Sequence, residues 1–206
     1  MISFLKKFKT TKNGIYTHKT LKGMYYLIPE NELYTFYELY SNHIISNDMK
    51  LVEINKYNGI IVLNLILQYI HDDFLLSLIS LINSFFSKFS STYYIYILKK
   101  NNDNNTDLLF YITIKTDDEI KFELKQYISN NFNTIVLKHN YPSSFNLKID
   151  FLNEAPLYMS TDKNNNIYLV HKKFDSKNQE LVPEKNIPDI MKNISLHDNP
   201  LECDLV

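Results

Sequence analysis

Apolar positions along this chain follow two periods. Leu33, Phe36, Tyr37, Tyr40 and Ile44 recur three and four residues apart behind Asn31, a good N-cap. That spacing predicts a helix from about residue 31. The stretch Thr17–Ile28 before it is rich in Tyr and Leu, reads as extended, and is closed by Pro29. Ile60–Tyr69 is almost continuously apolar, the pattern of a central strand covered on both faces, and Asn58-Gly59 marks a turn ahead of it. Leu75, Leu78, Ile79, Ile82, Phe85, Phe86 and Phe89 lay out a wide helical face. Asp72 and Asp73 open it, where carboxylates meet the positive end of the helix dipole. Thr92–Leu98 and Leu108–Lys115 read as strands from their β-branched and aromatic content, with the polar loop Asn101–Asn105 between them. Thr116 and Glu119 make a capping box for a helix that reaches about Asn130. Thr134–Leu137 and Ile167–Val170 are the last predicted strands. From Phe174 onward the chain is polar and broken by Pro183, Pro188 and Pro200, with room for one short helix around Ile187–Asn193. The pattern predicts an α+β domain, α/β-like, with a single mixed sheet and flanking helices over residues 1–174. A polar, acidic tail is predicted over 175–206.

Composition narrows this picture. A chain of 206 residues with 45% hydrophobic content can build one substantial core. Asn, Ile and Lys are abundant, Ala155 is the single alanine, and arginine is absent, a bias that follows A/T-rich codons. The lack of arginine has a physical consequence. Guanidinium is the bidentate clamp for phosphate and bases, whereas lysine is only a point charge. The net charge is −1, but it is unevenly spread. Residues 1–25 hold Lys6, Lys7, Lys9, Lys12, Lys19 and Lys22 and no acid; residues 175–206 hold 3 Lys against 7 acids. A basic N-terminal arm suits contact with phosphates. One cysteine, Cys203, excludes an intrachain disulfide and a cysteine-based zinc site, and suggests an intracellular compartment. The runs Ile60–Ile70 and Phe74–Phe86 are parted by His71, Asp72 and Asp73 and fall short of the ~20 residues that cross a bilayer, so no membrane association is expected.

The segments Tyr16-Thr17-His18-Lys19-Thr20-Leu21, Tyr25-Tyr26-Leu27-Ile28-Pro29, and Leu33, Phe36, Tyr37, Leu39-Tyr40 carry a family resemblance. They are similar to the start of the primase-polymerase (archaeo-eukaryotic primase) domains in the primase-helicases of nucleocytoplasmic large DNA viruses. Those domains open with a Thr-His-Thr-Ser-Leu-like stretch, a Tyr-Ile-Pro strand end and a Phe-x-x-Leu-Tyr helix. They then carry a strand of the type Ile-Asp-Leu-Asp-Phe-Arg-Tyr. The corresponding place here is Leu63-Asn64-Leu65-Ile66-Leu67-Gln68-Tyr69. A later Asp-Gly-x-His strand has its best counterpart at Asp107-Leu108-Leu109-Phe110. A Tyr-Gly-Ser-x-Lys-like piece corresponds to Tyr158-Met159-Ser160 with Lys163. The resemblance is concentrated in residues 1–70.

Nucleotidyl transfer of the kind this resemblance implies needs two divalent ions that clamp the attacking and leaving oxygens. Mg²⁺ requires hard anionic oxygens, and Asp-x-Asp on a strand supplies them because i and i+2 share a face. Here those positions read Asn64 and Ile66. Gln68 stands for the family's arginine and Phe110 for its histidine. Asp72 and Asp73, and likewise Asp117, Asp118 and Glu119, read as helix-start carboxylates rather than ligands. The histidines show no ligand spacing, and Gly14, Gly23 and Gly59 are too scattered for a phosphate loop. Tyr93, Tyr94 and Tyr96 could stack bases but read better as strand packing. The expectation is a catalytically inactive primase-like domain with no metal and no cofactor. It would act as a nucleic-acid-binding or replication-accessory protein of a large DNA virus, in the host cytoplasm as the resemblance implies. Its partner would be single-stranded DNA or a viral replication protein. The nucleic-acid-binding residues would be Lys6, Lys7, Lys9, Lys12, His18, Lys19 and Lys22. The alternatives are an active DNA primase with a relocated metal site and a structural or interaction module that reuses the fold.

Overall fold

The computed structural model describes residues 1–20, 22–44, 51–54, 60–67, 71–89, 92–100, 106–142, 145, 147–156, 158 and 168–195. The side chains of Ile44, Ile66, Asp107 and several other residues at element ends lie outside that description, as do Gln68, the loop 101–105, the 159–163 match and Cys203.

The N-terminal third opens with helix α1 (Ile2–Lys7), then strands β1 (Lys9–Thr10), β2 (His18–Thr20) and β3 (Tyr25–Tyr26). The expected extended stretch Thr17–Ile28 is therefore a tight hairpin. It turns at Gly23, whose φ of 82° favours glycine and whose N–H donates to the Thr20 carbonyl. A 3₁₀ turn at Glu30–Glu32 leads into helix α2 (Leu33–Ile44). Its Leu33, Phe36, Tyr37 and Tyr40 are fully buried, so the predicted apolar face is the packing face. Strand β4 (Leu51–Ile54) completes this part.

Next come β5 (Ile60–Leu67), helix α3 (Asp72–Phe86), β6 (Tyr94–Lys100), β7 (Thr106–Lys115) and helix α4 (Asp118–Lys138). They are followed by β8 (Lys148–Phe151), β9 (Glu154–Pro156), β10 (Tyr168–Asp175), β11 (Glu180–Leu181) and helix α5 (Ile187–Ile194). The α+β class is as expected, but the strands form two antiparallel sheets rather than one mixed sheet. One runs β1-β3-β2-β4-β9; the other runs β11-β10-β6-β7-β5-β8. The short strands of the first sheet are too brief to show a period in the sequence.

The predicted strand Thr134–Leu137 lies inside α4. Its β-branched run is overridden by packing, because Leu124, Ile128, Phe132, Ile135 and Val136 bury one helical face against α3 and the second sheet. The N-cap is Asp117, whose carboxylate accepts from the Ile120 N–H at 2.9 Å, not Thr116.

The segment from Asp175 to Ser195 is not a tail. Lys173 and Phe174 on β10 are buried, β11 pairs back onto β10, and α5 buries Pro188, Ile190, Met191 and Ile194. Helices pack on both faces of the second sheet. In the second sheet, Leu63, Leu65, Ile95, Ile97, Phe110 and Ile112 face α3 and α4. The opposite face, with Val62, Tyr96, Leu98, Leu109 and Tyr111, forms a core with Ile190 and Ile194 of α5. Met191 of the same helix packs instead with Phe36, Tyr37 and Tyr40 under the first sheet. The helix thus has one foot in each core.

The loop before α5 is fastened by charge. The Oε1 of Glu184 accepts from the buried ammonium of Lys173, from the Tyr96 hydroxyl at 2.9 Å and from Asn193 Nδ2 at 3.0 Å. Burial by itself raises the Glu184 carboxyl, but the hydrogen bonds from Lys173 and Tyr96 and the lysine's charge outweigh it. The group titrates below its ordinary value. Burial and the Glu184 charge together push the Tyr96 phenol up. A carboxyl with a depressed folded value stabilises above its ordinary value of 4.5 and loses that contribution as the pH falls through the depressed one. Glu184→Gln should therefore cost about 2 kcal/mol at neutral pH, since it strands a buried ammonium. The gap to wild type, read by urea unfolding, should close in acid. Equal stability of the two proteins at pH 7 would mean the loop is held by something else.

Candidate functional site

Residues 64 and 66 fall on β5, between β7 and β8. Strand alternation puts Leu63 and Leu65 into the α3/α4 core and leaves Asn64 on the opposite face with Val62. Asn64 pairs in register with Leu109 of β7 and Asp150 of β8. Directly opposed residues of an antiparallel pair share a face, so Asn64 and Asp150 are side by side. Ile66 pairs with Asp107 on one flank and Lys148 on the other.

The Asn64 side chain is half-buried, and its Oδ1 is shielded from solvent with no hydrogen-bond partner among the described residues. Beside it, Asp150 is partly exposed and its Oδ2 receives the Lys148 ammonium at 2.7 Å. The donor set beside the central strand is thus one neutral amide oxygen and one carboxylate already paired with a lysine. Asp107 sits two strands from Asp150, roughly 10 Å across the sheet. No group of three or more His, Cys, Asp or Glu side chains that could hold a metal occurs among the described residues. The described residues beside β5 do not fit a two-ion centre.

Sequence reasoning missed Asp150. The signal was present in Leu147-Lys148-Ile149-Asp150-Phe151, which alternates apolar and polar with period two. Leu147, Ile149 and Phe151 pack toward the α3/α4 core, which sends Lys148 and Asp150 to the Asn64 face.

The predicted nucleic-acid contacts sort unevenly. Lys6 and Lys7 are exposed on α1, Lys9 on β1, Lys12 in the following loop and Lys22 in the hairpin turn; Lys19 is half-buried on β2. These residues do not form a floppy arm, because Phe4 and Leu5 of α1 are buried and β1 pairs with β3. Nor do they share one face. Lys9 is in register with Tyr26 and so with His18, whereas Lys19 is in register with Tyr25. They surround the edge of the first sheet. His18 leaves the set. It is fully buried, with Nδ1 2.9 Å from the Thr17 hydroxyl and its ring edge-on to Phe36 at 4.8 Å. A ring enclosed in the α2 core does not reach a phosphate. Tyr93 and Tyr96 are likewise buried and cannot present a stacking surface. Phe110 is buried in the α3/α4 core, on the face away from Asn64. Asp72 and Asp73 lie in the first turn of α3 as expected, with Asp72 3.5 Å from Lys172.

An orphaned buried amide oxygen carries a cost of about 1–3 kcal/mol. Asn64→Val should therefore be neutral or stabilising by about 1 kcal/mol in thermal or urea unfolding. A clear loss of stability would show that Oδ1 has a partner that matters to the fold.

A family model for the C962R protein N-terminal AEP domain matches residues 17–174, about three quarters of the chain. A search of curated proteins finds no match. The chain belongs to this family of archaeo-eukaryotic primase domains from a viral primase-helicase. The matched residues contain both sheets apart from β1, β11 and the end of β10, while α1 and α5 lie outside them. Among the described residues no helix is long and apolar enough to cross a membrane.

Proposed function

We propose that this chain is a primase-like domain without nucleotidyl-transfer activity, which serves viral DNA replication as a nucleic-acid-binding accessory protein inside the host cell. The observation that carries the reading is the donor set at β5. An amide replaces the first carboxylate at position 64, an isoleucine the second at 66, and the neighbouring Asp150 is neutralised by Lys148. Two dications held that way would have almost no compensating charge.

The binding half of the reading rests on Lys6, Lys7, Lys9, Lys12, Lys19 and Lys22. No acid occurs before Glu30, so nothing on that segment cancels them. Lysines act on the backbone charge of a polyanion and carry little sequence information. With no arginine in the chain, bidentate reading of guanine is absent, and binding should be weak in sequence preference and steep in salt. A viral replication protein is the alternative partner for the same surface.

Fluorescence anisotropy with a labelled single-stranded oligonucleotide across a salt series tests this. The triple variant Lys6→Glu/Lys7→Glu/Lys12→Glu should lower affinity and flatten the slope of log K against log salt by about 2, at roughly 0.7 per lost contact. Absence of binding even at low salt removes the nucleic-acid version and leaves a protein partner.

One observation favours a second reading, an active primase with a relocated metal site. Asp150 is a carboxylate in the right place, next to Asn64. Primer synthesis assayed with Mg²⁺ and with Mn²⁺ separates the two. Product formation ends the inactive reading; none is expected.

A further inference from the structure

We infer that the Lys148 ammonium is a built-in counter-cation for Asp150, occupying the place on the sheet where a divalent ion would otherwise be drawn. The inference deepens the inactive reading above and rests on it in one respect, that no two-ion centre forms at β5.

Three observations carry it. Lys148 and Asp150 stand two residues apart on β8, so both lie on the Asn64 face, and Nζ meets Oδ2 at 2.7 Å. In register, Asp150 is opposite Asn64 and Lys148 is opposite Ile66. The strand therefore presents an anion beside one of the two altered positions and a cation beside the other. Third, the adjacent Asn64 Oδ1 is a shielded acceptor without a donor among the described residues. Oxygen atoms suited to a cation are thus present, but the formal charges of Asn64, Asp150 and Lys148 sum to zero, because Lys148 cancels Asp150 and Asn64 is neutral.

The balance of magnitudes favours the lysine. A lone carboxylate and an amide bind a hydrated dication weakly, since Mg²⁺ holds its waters tightly and needs several anionic oxygens. A cation on a short tether has an effective concentration in the millimolar range or above and needs no dehydration of a dication. The pair is open to solvent, at 67% exposure for Lys148 and 41% for Asp150, so it adds little to fold stability. Its effect lies in charge cancellation. It removes the attraction for a metal ion. It also removes the repulsion that a bare Asp150 would exert on a phosphate passing over this face.

The experiment is a Mn²⁺ titration of the full chain, read by loss of the free-ion electron paramagnetic resonance signal at constant ionic strength. Three proteins are compared: wild type, Lys148→Met, and Lys148→Met/Asp150→Asn. Lys148→Met keeps the stem of the side chain and removes only the charge, and circular dichroism verifies that each variant is folded. Lys148→Met should bind Mn²⁺ at least tenfold more tightly than wild type, and the double variant should return to the wild-type level. Equal binding by wild type and Lys148→Met overturns the inference, and so does the absence of binding by Lys148→Met. Nucleic acid is not part of the titration and primer synthesis is not its readout. A failure here therefore leaves the inactive, DNA-binding reading standing, and a failure of that reading in its own assays does not decide this one.

Discussion

Two sheets in one chain must be locked together by something, and here the lock is the short amphipathic helix α5. Its Met191 lies in the core beneath the first sheet with Phe36, Tyr37 and Tyr40, while Ile190 and Ile194 lie in the core beneath the second with Val62, Leu109 and Tyr111. Residues one apart on a helix point about 100° from each other. A helix of only eight residues, Ile187–Ile194, can thus enter two cores when it sits between them. Deleting a buried Met, Leu or Ile side chain costs about 2–5 kcal/mol, so three such side chains in one short helix are a large share of the 5–15 kcal/mol that a domain typically has. Ser195 adds a buried hydrogen bond from the Tyr37 hydroxyl, and the Glu184 network fastens the loop that leads in. The helix covers the same face of the second sheet that carries Asn64, so the packing that joins the sheets also sets how far that face is open.

The helix was legible as a short element around Ile187–Asn193, but its burial was not, and the reason is physical. From Phe174 onward, acids and prolines dominate, and composition points to a solvated tail. The apolar residues that matter are few and fit only once two surfaces exist for them to join, so their meaning lies in contacts distant in sequence. Pro188 reads as a breaker but stands in the first turn of α5, where proline is tolerated because its missing N–H has no partner to lose. In contrast, α2, α3 and β5 were legible, because each buries a single continuous face and the period of that face is written locally. The α4 error was of a third kind. Thr134, Ile135, Val136 and Leu137 favour a strand by propensity, but the helix continues because Ile135 and Val136 extend the stripe begun at Leu124.

At the candidate site, the family resemblance pointed to Asn64 and Ile66 but not to what surrounds them. Neighbours on a sheet come from register, and Asp150 lies 86 positions from Asn64 in the chain. The same holds for His18. A histidine inside a family-like motif invites a functional role, yet its position is explained by an edge-on contact with Phe36 and a hydrogen bond with Thr17. Motif residues that shape a fold and motif residues that do chemistry look alike in one dimension. Burial separates them.

The charge arithmetic of the β5 face ties these threads together. Two adjacent carboxylates on a central strand repel each other and are tolerated in a fold when a cation is present to balance them. Asn64 and Ile66 carry no such charge, and the apolar neighbours Val62 and Leu109 pack under α5 without stranding one. Asn64 Oδ1, without a partner among the described residues, and Asp150, balanced by Lys148, lie at the margin of that packing. Under the reading proposed above, the architecture persists for binding, with attraction to a polyanion carried by lysines around the edge of the other sheet.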